Sequence, residues 1–167
     1  MTSGSAHRFD PQYFADILLR IVPDLPQPVV ESLWSAHGAR CYSAAEFLQC
    51  EGEVSEGMFL IVSGLVRLSL ASDGPKAQSI HSRELSSPTM LGVNDVMLGS
   101  SVSLTAQALT EVHSAFVPKT AFLDAVRRFP SAGIAFSQFI AEELTLTYSR
   151  ISELRGANPE ETRWRRV

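Results

Sequence analysis

GEVSEGMFLIVSGLVRL occupies residues 52–68 and decides how the rest of the chain is read. Gly52 and Glu53 close one extended run, and Gly57 turns the chain. Met58 to Val62 form a strand, Ser63-Gly64 a tight turn, and Leu65 to Leu68 the next strand. Glycine supplies the positive φ that successive hairpins need, at no steric cost. Beyond the second turn, Val66, Leu68 and Leu70 alternate with Arg67, Ser69 and Ala71, the period-two pattern of a strand with one buried face. Asp73-Gly74 then marks another hairpin.

Working outward, short strand-like runs continue on both sides of this unit. They are 39–42, 46–50, 57–64, 65–71, 77–85, 89–93, 102–109 and 112–118, separated by Gly, Ser, Asp and Pro. Regular short strands with turn signals predict an antiparallel sandwich or barrel. The flanks are helical. Residues 10–22 carry Phe14, Ile17, Leu18 and Ile21 on one stripe, with Asp10 placed to cap and Pro11 in the first turn. A second short helix is expected over 29–38, stopped by Gly38. After Pro118 come an amphipathic helix over 119–130 and a long one over 131–156, closed by Gly156. Ile140, Leu144, Thr147, Ile151 and Leu154 repeat at heptad spacing along it, which predicts a dimer seam.

The turn motif and the order of elements resemble the cyclic-nucleotide-binding domain family, the sensor domain type of cyclic AMP receptor regulators. The family's segment reads Gly-Glu, a gap, an aromatic, Ile, a Ser-Gly turn and Val-Arg. The resemblance covers about residues 12–156. It implies a mainly β, α+β fold: an antiparallel β-roll (a double-stranded β-helix, jelly-roll-like) with N-terminal helices and a long C-terminal helix. The expected layout is a disordered N-terminus over 1–9 and a domain over 10–156, followed by a tail over 157–167. Within the domain, helices span 10–37, the roll 39–118, and helices again 119–156.

The resemblance also places LGVNDVMLGSSVSLTAQA, residues 91–108, at the family's phosphate-binding cassette. That cassette uses a Gly-Glu pair, a short helical turn, then Arg-Ser/Thr-Ala. Its Glu meets the ribose hydroxyl, and its Arg forks onto the cyclic phosphate. Here Gly92 matches the Gly, but Val93 stands for the Glu, Val102 for the Arg and Leu104 for the Ala. Ser103 keeps the Ser/Thr position. No Arg, Lys or Glu occurs in residues 91–109, so no shift of alignment supplies the missing charges. Asn94, Ser101 and Ser103 remain as neutral donors, and Asp95 would repel a phosphate if it faced the pocket. Thr147 aligns with a family Thr that touches the purine at the dimer seam, and Tyr148 follows where Ser is usual. Cyclic AMP binding is expected to be weak or absent.

Composition excludes several other classes. With 14 basic and 18 acidic residues the net charge is −4, unlike a general nucleic-acid binder. No apolar run approaches the roughly 18 residues of a membrane span, and no secretory signal is visible, so a cytoplasmic location is expected. Cys41 and Cys50 make no framework and are read as two buried thiols. Four histidines (His7, His37, His81, His113) form no His-x-His pair, which argues against a cupin-like metal enzyme. His81 and His113 are the candidates for haem, but isolated strand histidines carry little weight. No metal and no resident cofactor is expected, and no catalytic residue. Met58, Met90 and Met97 read as core fillers. The basic tail ETRWRRV (Arg163, Trp164, Arg165, Arg166) leaves too little chain after Gly156 for a helix-turn-helix, so direct nucleic-acid binding by this chain is not expected.

These readings converge on a non-catalytic sensor or regulatory domain that pairs as a homodimer and takes a small-molecule effector. The alternatives are the sensor half of a DNA-binding regulator and a ligand-free interaction module.

Overall fold

A computed structural model describes residues 9–70 and 81–156. The expected Asp73-Gly74 hairpin and the basic tail lie outside the described residues. Helix α1 (Pro11–Ile21) starts where Asp10 accepts the Tyr13 amide at 2.8 Å. Phe14, Ile17 and Leu18 are its buried stripe. Phe9, expected to be disordered, packs edge-on against Phe14 with ring centroids 6.1 Å apart. Helix α2 (Gln27–Ala36) begins earlier than expected because Pro26 and Pro28 suit a helix start. It ends before Gly38. Its cap, His37, is extended and leads directly into a strand.

Among the described residues, eight strands form two antiparallel four-stranded sheets. One has the order β1 (Gly38–Tyr42), β8 (Val112–Pro118), β3 (Gly57–Ser63) and β6 (Thr89–Leu91). The other has β2 (Phe47–Gln49), β7 (Thr105–Ala108), β4 (Leu65–Leu70) and β5 (His81–Ser86). The β-roll, the N-terminal helices and the long C-terminal helix are as read from the sequence. Residues 102–104, expected in a strand, precede β7, and Ser101 makes only an isolated bridge to Val54. Residues 93–98, between β6 and β7, form the short helix α3 (Val93–Leu98).

Strand β3 shows why the opening stretch is a continuous apolar run. Met58 and Leu60 face the helices, within a core that includes Phe14, Leu33, Phe122 and Phe136. Phe59 and Ile61 face the roll interior, among Val66, Ala108, Val112 and Phe116. A strand covered on both faces needs no polar alternation. Gly57 opens this strand without a positive φ, contrary to its expected role as a turn. A Cβ there would lie 2.2 Å from the Val117 carbonyl, so Gly57 serves close approach of β3 to β8. Gly57→Ala is expected to cost about 1–3 kcal/mol through overpacking, read as a lower urea midpoint at unchanged slope.

Cys41, expected buried, is exposed on the edge strand β1, and Cys50 is half-buried; both are free thiols. Cys41 sits opposite His113 on the outer side of the sheet. Helices α4 (Lys119–Arg128) and α5 (Pro130–Gly156) complete the described chain. Their joint is Phe122 against Phe136, with centroids 4.7 Å apart and rings inclined at 60°.

Candidate functional site

The loop from β6 to β7 is built on Gly92. This residue caps α3 in the left-handed region at φ 81°, and a Cβ on it would meet the Gly57 carbonyl at 2.7 Å. Two glycines thus let the cassette lie directly on the start of β3. The loop, β5 and α5 enclose a cavity of about 360 Å³. Leu68, Leu85, Met90, Leu91 and Leu104 make one apolar wall, and Phe139, Ile140 and Leu144 of α5 make the other.

Of the residues singled out in the sequence, Gly92, Val93, Asn94, Ser103 and Thr147 line this cavity. Ser101 and Val102 do not. Ser101 is exposed at its bridge to Val54. Val102 is buried beside a separate cleft of about 280 Å³, with Arg40, Glu53 and Phe116. Its backbone explains this. The Val102 amide donates to the Glu53 carbonyl at 2.8 Å, and its carbonyl accepts from the Gly52 amide at 2.9 Å. That pairing gives the Val102 side chain to the cleft while Ser103 goes to the cavity. In the cleft, the Arg40 guanidinium lies 3.5 Å from the Phe116 ring centroid.

Ser103 is already engaged. Asp95, only 4% exposed, accepts a hydrogen bond from the Ser103 amide at 3.3 Å and another from its hydroxyl. The Asp95 carbonyl accepts from the Ser100 amide at 3.1 Å. A carboxylate from within the chain therefore occupies the donors that Ser103 offers. Satisfying such a buried group is what makes its burial tolerable. Thr147 is exposed, and its hydroxyl donates to the Glu143 carbonyl at 2.8 Å, one turn back on its own helix.

Two charged cavity residues escaped the sequence reading. Arg83 on β5 and Glu143 on α5 form an ion pair at 3.1 Å across the cavity. Arg83 is two residues from Leu85, so strand periodicity already placed both on one face. Elsewhere, Cys41, Glu111 and His113 have ligating atoms within 4.8 Å of one another, all exposed on the outer sheet face. His113 pairs with Glu111 at 2.8 Å there, away from the cavity.

Residues 39–129 match the family model described as Cyclic nucleotide-binding domain. The chain belongs to this family. The match covers more than half of the 167 residues and takes in the whole roll and the cassette. Among solved structures, this cyclic nucleotide-binding domain is similar to one from Methylobacillus flagellatus KT. The TM-score is 0.72 at 19% identity, covering 86% of this chain and 84% of that one. It is also similar to the sensor domain of the transcriptional regulator DNR from Pseudomonas aeruginosa, with TM-score 0.69 and 15% identity over 86% and 94% of the two chains. The catabolite activator protein of Thermus thermophilus matches with TM-score 0.66 and 18% identity, over 81% of this chain. The chain spans 62% of the length of that Thermus thermophilus protein and 63% of a putative cyclic nucleotide binding protein from Ruegeria pomeroyi DSS-3. These likenesses establish the fold. No curated protein matches the chain.

Proposed function

We propose that this domain is a non-catalytic sensor whose cavity receives a small-molecule effector, and that it does not use cyclic AMP. One observation carries this reading. The cassette lacks both charged contacts of a cyclic nucleotide, and Asp95 holds the donors of Ser103. An incoming phosphate would meet the Asp95 carboxylate and find no Arg in the cassette. The titration that tests this adds cyclic AMP and cyclic GMP to the purified protein. No saturable heat is expected at micromolar nucleotide, and micromolar binding would overturn the reading.

The exposed apolar side chains of α5 support a homodimer. Leu144 and Leu146 are each 49% exposed, and Tyr148 is 60% exposed. Ile140, Leu144 and Thr147 of the expected seam also line the cavity, so one helix would carry both surfaces. The side chains of Ile151 and Leu154 lie outside the described residues. Leu144→Asp together with Leu146→Asp is expected to shift sedimentation from dimer to monomer with the fold retained, because neither side chain belongs to the core.

A cytoplasmic location fits this reading, and no helix among the described residues is long and apolar enough to cross a membrane. A second reading, the sensor part of a DNA-binding regulator, is favoured by size. The chain covers 94% of the DNR sensor domain but 65% of the longer DNR chain. A reading frame that continues into a helix-turn-helix would decide for it.

A further inference from the structure

Among the described residues Arg83 is the one cation lining the cavity, and its guanidinium is only partly used. Its Nη1 holds Glu143 at 3.1 Å, whereas its Nε is buried without a hydrogen-bond partner. An unpartnered buried donor is unfavourable and calls for an acceptor. In a guanidinium the Nε–Nη2 edge lies apart from Nη1, and that edge is the fork that matches a carboxylate or phosphate. Glu143 therefore holds Nη1 and leaves Nε without a partner; an anion reaches the fork edge by displacing the side chains that cover Nε. The other acid in the cavity does not fill that role, because Asp95 is bound to Ser103. The remaining walls are mostly Leu, Met, Val, Ile and Phe. A cavity of about 360 Å³ is at the small end of ligand sites.

We infer that Arg83 is the anion anchor of this cavity, and that the effector is a small organic acid with a largely apolar body. The inference rests on the reading that the cavity takes an effector, and it moves the anionic contact from the cassette to β5. Because Glu143 stands on α5, the acid group docks one side chain away from that helix.

The test titrates the full chain with phenylacetate and octanoate, and with phenylacetamide and octanamide as neutral counterparts, followed by calorimetry and thermal shift. The acids are expected to bind saturably and the amides about tenfold or more weakly, the factor a charge-assisted fork supplies. Arg83→Gln is expected to bring the acids down to the level of the amides while amide binding stays unchanged. Arg83→Lys keeps the charge without the fork and is expected to fall between. Acids and amides binding equally, or acids unaffected by Arg83→Gln, would overturn the anchor and leave the effector cavity standing. Binding of none of the four would overturn both. Arg83 is partly exposed, and the unliganded melting temperature of each variant verifies its fold.

Discussion

Phe122→Ala is expected to destabilise the domain by about 3–5 kcal/mol, the cost of emptying a fully buried aromatic site. Phe122 is 0% exposed and packs edge-to-face on Phe136, also 0% exposed. The loss combines transfer of the ring, the cavity left behind and the aromatic pair itself. For a chain of this size each kcal/mol lowers the melting temperature by about 2–4 °C, so a drop of roughly 6–20 °C is expected in a thermal melt. The same joint sets α4 against α5, and α5 carries Phe139, Ile140 and Glu143 into the cavity wall. Ligand affinity in Phe122→Ala is therefore expected to fall even below its melting transition. A melt within 2 °C of wild type would contradict the packing described.

Cyclic AMP is expected to bind tens- to thousands-fold more weakly than to a domain with the family's charged cassette. Removing one partner of a buried charged pair costs about 2–5 kcal/mol, which converts to that range at 1.4 kcal/mol per tenfold. Two features of this chain contribute. Val102 replaces the phosphate Arg and faces the neighbouring cleft rather than the cavity. Asp95 presents a like charge and holds the Ser103 amide and hydroxyl. Asp95→Ala separates these causes. It frees both donors and removes the carboxylate, so a several-fold gain in cyclic AMP affinity is expected by calorimetry. Full recovery is not expected while no Arg stands in the cassette. Ser103 is exposed, and water can satisfy the freed donors, so the stability cost is expected to be about 1–2 kcal/mol. If Asp95→Ala bound no better than wild type, the carboxylate would not be what closes the cassette.

Much of the architecture was readable because it rests on local chemistry. Asp10 and Pro11 start α1 by satisfying and omitting helix-end amides, and the cap is seen. The apolar run of β3 announced a strand, although not that its two faces serve different cores. Gly57 was read as a turn because a glycine in sequence looks the same whether φ or proximity requires it. The Val117 carbonyl that decides between these is 60 residues away. Cys41 was read as buried from its residue type, yet β1 is an edge strand and turns it outward.

The candidate site divides in the same way. The absence of Arg and Glu from residues 91–109 is a property of composition, and no folding can add them. The sequence by itself therefore determined the helix–roll–helix order, the family resemblance and the loss of the charged cassette. Tertiary structure decided the rest, because hydrogen bonds and ion pairs depend on distances that spacing does not encode. The contact of Asp95 with Ser103 needs α3 and the turn at Gly99 to fold back, and the contact of Arg83 with Glu143 joins residues 60 apart. Val102 and Ser103 are adjacent in the chain. Only the backbone pairing with Gly52 and Glu53 sends one to the cleft and the other to the cavity.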